Sequence, residues 1–325
     1  MADGSRRATI FWAFAAIYLI WGSTYLAIQI AVHHLPTLIL AGGRFAVAGA
    51  VIYLWARSQG EPNPPVAVWG MGAMLGTLFF VLGNGLVVWS EQRVPSGKTA
   101  LLASTSPLWT VVIESAIAGW RRPPWRVLVG VCLGFTGLLL LAAPNAASGE
   151  ATVPFIGVVA LLVASIAWSI GSVYSHLRQL PASPAMATAV KMLGGGGQLL
   201  LLSLHVGEWR DFRAAEVPWS AWVAFVYLIV FGSIIGFTAF VYLLRVSTPQ
   251  KVATSSYVNP LVAVLLGWAV AGESITSRTM IAGAVILGGV LLIRLPGRSV
   301  TPEVVTDVGS LDTGEYPAPN APRDR

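Results

Sequence analysis

Two stretches of one chain, KTALLASTSPLWTVVIESAIAG (Lys98–Gly119) and KVATSSYVNPLVAVLLGWAVAG (Lys251–Gly272), match at 8 of 22 positions without a gap. The matches include the opening lysine, the Pro107–Leu108 and Pro260–Leu261 pairs and the closing glycine, which apolar composition alone does not produce. The same offset of 153 residues carries Gly83 onto Gly236. Earlier in each half an offset of 147 places Trp21 on Trp168 and Arg44 on Lys191. The difference is absorbed in the polar stretch Glu208–Val217. A repeat of this kind fixes which positions are equivalent before any residue is interpreted alone.

Both stretches belong to a chain unsuited to water. Apolar residues make up 55% of it and charged residues 10%, against about 25% charged in a soluble domain. The mean hydropathy is +0.72. Apolar residues gather in blocks of about 20, the length that crosses a ~30 Å hydrocarbon layer as a helix. These run approximately Ala8–Ala31, Pro36–Ala56, Val66–Ser90, Gly97–Ala118, Trp125–Ala143, Pro154–Ser175, Pro184–Leu204, Pro218–Leu244, Pro249–Ala271 and Thr279–Leu295. The reading is an all-α polytopic membrane protein of ten transmembrane helices, with a first five-helix repeat at 8–144 and a second at 154–295. Residues 296–325 carry too little apolar surface to offset ordering entropy and are expected to form a disordered tail.

Loop charge orients the chain. Eleven basic residues between Arg6 and Arg298 fall on one side, and Arg93, Lys98, Arg210, Arg213 and Arg278 on the other. The richer side belongs in the cytoplasm, which places both termini there. Five spans is an odd number, so the second repeat enters the membrane inverted. Inverted repeats characterise secondary transporters, whose halves rock about a midplane site. The pI of 9.8 comes from loop residues and does not point to nucleic acid. Cys132 lies within an apolar block and reads as an inert core thiol.

The register also assigns depths. Arg44 lies about 12 Å from the outer end of its span, at 1.5 Å per residue, and Lys191 at a mirrored depth from the inner end. Pro107 and Pro260 fall near the midplane, where each removes a helix hydrogen bond and frees a carbonyl. Such carbonyls are tolerated where protein or water satisfies them, so the pair marks either a central cavity or a packing kink.

The chain resembles the drug/metabolite transporter superfamily, EamA type, over roughly residues 10–295. The resemblance rests on YLIWGSTYLAIQIAV (Tyr18–Val32), AGGRFAVAGA (Ala41–Ala50), GNG (Gly83–Gly85) and SEQRVPSGKTALLASTSPLWTV (Ser90–Val111). It continues in FGSIIGFTAFVYLLR (Phe231–Arg245) and ATSSYVNPLVAVLLGWAVAGESIT (Ala253–Thr276). It implies a ten-helix inner-membrane transporter with alternating access, whose relatives export metabolites such as amino acids, or toxic compounds. Repeats of this type usually end their fourth helix in Gly-Glu, present here as Gly272–Glu273; the first half has Gly119–Trp120 instead.

Three ionisable residues read as intramembrane: Arg44, Glu114 and Lys191. Retaining a charge at a helix centre costs ~2.5–3.5 kcal/mol, so each needs a partner or water. The two cations either brace their own halves or receive an anionic solute. Glu114, facing Gly267 in the repeat, either carries a proton or snorkels to the inner face. Uncharged candidates for substrate contact are Trp21 and Trp168 beside small residues, Asn84 between glycines, Trp89 at the outer end of its span with Glu91 nearby, and Tyr257 and Asn259 before Pro260. Each has a packing alternative. No paired intramembrane aspartates, placed base or metal-ligand cluster appears, so enzyme chemistry, cofactors and metals are not expected. The expected partners are a small-molecule substrate and the lipid bilayer, with no nucleic acid. A passive channel is the alternative function, and solute, proton coupling and oligomeric state are not fixed by the residues.

Overall fold

The computed structural model describes residues 2–117, 125–142, 154–178, 180–247, 252 and 255–294. The described residues are helical, with no strand among them. The principal helices are α1 (Ala2–Val32), α2 (Thr37–Ser58), α3 (Val66–Glu91), α4 (Ser96–Ile117) and α5 (Trp125–Ala142). They continue as α6 (Phe155–Leu177), α7 (Pro184–Val206), α8 (residues 219–246), α9 (Ser255–Ala271) and α10 (Ser277–Arg294). Among the described residues seven helices are long and apolar enough to cross a membrane. The spans expected at 125–143, 249–271 and 279–295 overlap the shorter apolar helices Leu128–Leu140, Val258–Ala271 and Ser277–Leu292, and each adjoins residues outside those described. Gly119–Trp120 and the 296–325 tail also lie outside them.

Proline punctuates the helix starts. Pro36, Pro65, Pro95, Pro154 and Pro218 precede α2, α3, α4, α6 and α8, and Pro184 opens α7 behind Ser183, whose Oγ accepts the Met186 N–H. Proline suits these positions because a helix start has no backbone acceptor for the missing N–H. It also lacks a side-chain acceptor for the first-turn N–H groups. Two distant carboxylates supply that acceptor. Glu208 accepts from Leu38 N and Ile39 N at 3.0–3.1 Å, and Glu273 from Ser96 N (2.7 Å), Ser96 Oγ (2.6 Å) and Gly97 N (3.0 Å). An anion there also complements the positive end of the helix dipole.

Small residues let the helices approach closely, as expected where lipid offers no hydrophobic drive to association. A Cβ on Gly196 of α7 would sit 2.5 Å from Ala46 N of α2, and one on Gly76 of α3 would sit 2.5 Å from Gly195 N of α7. At the α5–α10 contact a Cβ on Gly289 would meet Gly130 O at 2.6 Å. Phe45 and Phe80, with ring centroids 4.3 Å apart, lie in a buried cluster with Leu40, Leu199 and Leu228.

Two helices change pitch. Thr77–Gly85 of α3 and Leu228–Ile235 of α8 are π-helical, and the 153-residue offset superposes them to within a few residues. The matched prolines, by contrast, behave differently. Helix α4 breaks at Ser104–Thr105, and Pro107 lies in the first turn of the segment Ser106–Ile117. Protein side chains satisfy the carbonyls here, through three consecutive hydroxyls: Ser104, Thr105 and Ser106 donate to Leu101 O, Leu102 O and Ala103 O at 2.7–2.8 Å. Pro260 sits inside the helical run Ser255–Ala271. Cys132 is exposed on α5 rather than buried, which corrects its reading as a core thiol.

Candidate functional site

The π-helical segments organise the polar interior. At Leu228–Ile235 the grip comes from the first half. Trp21 of α1 donates its Nε1 hydrogen to Gly232 O (3.2 Å) and packs against Phe237 and Phe240. Arg44 of α2, only 4% exposed, donates through Nε to Ser233 Oγ (2.8 Å). At Thr77–Gly85 the grip comes from the second half. Trp168 of α6 meets Phe79 edge-on at 5.0 Å, and Lys191 of α7 lies 5.8 Å from the same ring. The equivalent pairs, Trp21 with Arg44 and Trp168 with Lys191, therefore reach crosswise into opposite halves. Segments of π-helix often occur at functional sites because the wider turn releases backbone groups.

Arg44 has a buried carboxylate neighbour. Glu91, the last residue of α3, is fully buried, and neither of its oxygens has a hydrogen-bond partner. Arg44 Nη1 is unpartnered as well. The charged side chains whose fields act on Glu91 are Arg44 and Glu273, and Tyr25 of α1 also feels it. Tyr25 and Gln29 extend the Trp21 face of α1 at four-residue steps, and Gln29 Oε1 is buried without a partner. The sequence does not mark Glu91 as an intramembrane charge, because Gln92 and Arg93 follow it and end the apolar block. Its signal was the seven-residue spacing from Asn84, which puts both on one helix face.

The other sequence candidates scatter. Asn84 is half-buried and donates to Phe79 O (3.3 Å) within its own π-helical segment. Trp89 lies near the C-terminal end of α3 beneath the exposed Arg93 guanidinium, 4.3 Å from the ring centroid. The Asn259 amide is assigned with its nitrogen toward carbonyls, the orientation in which it donates to Ser255 O and to Ile17 O (3.2 Å each) and ties α9 to α1. Tyr257 belongs to α9, but its side chain lies outside the described residues. Glu114 is exposed, so the buried carboxylate of the region is Glu91, not Glu114. The Glu114–Gly267 asymmetry has a local cause on the glycine side: a Cβ on Gly267 would sit 2.6 Å from Glu273 Oε2. Gly272 adopts φ +67°, which turns the chain so that Glu273 N bonds back to Gly267 O and the carboxylate reaches α4. That geometry explains the Gly-Glu ending.

A polytopic helical bundle with broken and π-helical segments around buried charges defines the class of membrane transport proteins. The EamA-like transporter family model matches this chain twice, at residues 7–143 and 155–295. The chain belongs to that family. It is 36% identical over 309 residues to the "Uncharacterized inner membrane transporter YedA" of Escherichia coli (strain K12), covering 93% of this chain and 97% of that protein. It is 24% identical over 282 residues to the "Probable terminal-alkyne amino-acid exporter" of Streptantibioticus cattleyicolor, covering 87% and 92%. A solved crystal structure shares the fold with a TM-score of 0.59 at 21% identity, covering 88% of this chain and 96% of that one. The protein is a multi-pass inner-membrane transporter.

Proposed function

We propose that this transporter is a secondary active exporter of small metabolites, amino acids or related solutes, or of drugs, working by alternating access. In this reading the chain makes ten spans with both termini cytoplasmic, and its repeats at 8–144 and 154–295 are the two moving bodies. The observation that carries it is the crosswise grip of the two π-helical segments. Each half inserts a tryptophan and a cation into the irregular helix of the other, an arrangement that lets the halves pivot about shared central contacts. The amino-acid exporter among the relatives supports the solute class.

Buried Arg44 and Glu91 offer opposite charges in one region, which suits a solute carrying both an anionic and a cationic group. The test is reconstitution into liposomes loaded with labelled amino acids or a cationic drug, with and without an imposed pH gradient. Saturable, solute-specific counterflow is expected, reduced at least tenfold in Arg44→Ala. Ion conductance without saturable flux would overturn the reading in favour of a channel.

A further inference from the structure

The geometry points to Glu91 as a proton-binding site that opens toward the outer face and exchanges its charge against Arg44. This inference rests on the transporter reading and adds the residue through which a proton gradient would act.

The chain itself shows what a structural carboxylate looks like. Glu208 and Glu273 each accept backbone N–H bonds at the start of a helix. Glu91 accepts none, from backbone or side chain, although it is fully buried. An ionised carboxylate without donors is far more costly to bury than a neutral one, so a group so placed is retained for something other than capping.

The surroundings suit a group that changes charge. From α2, Arg44, buried with Nη1 unpartnered, is the cation whose field acts on it. From α1 comes Tyr25, and from the turn after α9 comes Glu273. On α4, which packs beside the end of α3, the titratable groups are Lys98, which lines an outer pocket together with Glu273, and, further along the helix, the exposed Glu114. The neighbouring stretch of α6, Phe155–Ser172, has no titratable side chain. When the carboxyl releases its proton, Arg44 is the cation that balances the charge; when it takes one, Arg44 is left to an anionic partner.

The route lies on the outer side. Gln92 and Arg93, the next residues, are exposed, and the half-buried Glu273, which lines the pocket, acts on Glu91 through its charge. A proton from the outer medium has polar groups over that short path, whereas the inward direction along α3 is apolar down to Asn84 apart from Trp89 and Ser90.

The experiment is pH-titrated infrared difference spectroscopy on the full chain in lipid nanodiscs, reading the carbonyl stretch of a neutral carboxylic acid slow to exchange with deuterium. The wild type should show one such titrating band, lost in Glu91→Gln, retained at a shifted frequency in Glu91→Asp and retained in Glu114→Gln. A band that survives Glu91→Gln, or no such band at any pH, overturns the assignment. In proteoliposomes, accumulation driven by a pH gradient should fall at least tenfold in Glu91→Gln, and unchanged gradient dependence overturns it as well. The spectroscopic result does not depend on transport. A titrating Glu91 in a protein without solute flux would sink the exporter reading alone, and gradient-driven flux with no Glu91 band would sink this one alone.

Discussion

Around Leu228–Ile235 the gripping residues, Trp21 and Arg44, make hydrogen bonds to Gly232 O and Ser233 Oγ. Around Thr77–Gly85 the equivalent residues, Trp168 and Lys191, meet the ring of Phe79. The repeat offset explains the difference, because Phe79 and Phe80 occupy the positions of Gly232 and Ser233. A glycine leaves its carbonyl open to an indole N–H, and a serine offers a hydroxyl to a guanidinium. Two phenylalanines offer no such hydroxyl and leave a ring face for a cation, while the Phe79 carbonyl accepts from Asn84 within its own segment. The scaffold is shared, while side chains at two positions make one grip polar and the other aromatic.

The largest test of this contrast is loss of each cation. Arg44→Ala should reduce solute flux more than tenfold, while Lys191→Ala, which removes only a distant ring contact, should change it by about threefold or less. Equal losses in a flux assay would mean that the two grips are functionally alike. Next in size is Gly236→Ala, whose Cβ would lie 2.5 Å from Trp21 Nε1. The ring must move, at a cost of about 1–3 kcal/mol. At the matching Gly83 the nearest Trp168 atom is 3.4 Å away, although Leu78 O is at 3.0 Å, and the cost should be smaller. Unfolding midpoints in detergent separate the two, and the opposite ranking would refute the polar–aromatic assignment.

Ser233→Ala should cost about 1 kcal/mol, since hydrogen bonds between helices in membranes are worth ~0.6 and at most ~1.7 kcal/mol. Arg44→Lys should not restore it, because the bond comes from Nε of the guanidinium. The smallest effect is expected at the tryptophans. Trp21→Phe loses one long interhelical hydrogen bond, about 0.6 kcal/mol, whereas Trp168→Phe keeps an edge contact with Phe79 and should fall below that. A thermal-shift series in which Trp168→Phe is the more damaging would contradict the geometry.

Much of the bundle was readable along the chain. The apolar blocks Pro36–Ala56 and Pro184–Leu204 reappear as α2 and α7, with proline marking their starts. The repeat offset alone makes Trp21 equivalent to Trp168 and Arg44 to Lys191. The burial of Glu91 was hidden by its position at a block's edge, and the exposure of Glu114 by its position inside one. The hydroxyl caps at Ser104–Ser106 were present in the sequence as STS, but proline alone did not say whether its freed carbonyls would meet neighbouring side chains or a cavity.

The sequence by itself determined where helices begin and end and which positions the two halves share, because these depend on local backbone chemistry and on apolar runs matched to the bilayer. Only the tertiary structure decided which neighbour each position meets. Lipid is as apolar as a helix interface, so hydrophobicity does not distinguish a lipid-facing side chain from one packed on protein. That is why Cys132 faces outward, why Trp21 reaches α8 and Trp168 reaches α3, and why the carboxylate buried near Arg44 comes from the end of a helix rather than its middle.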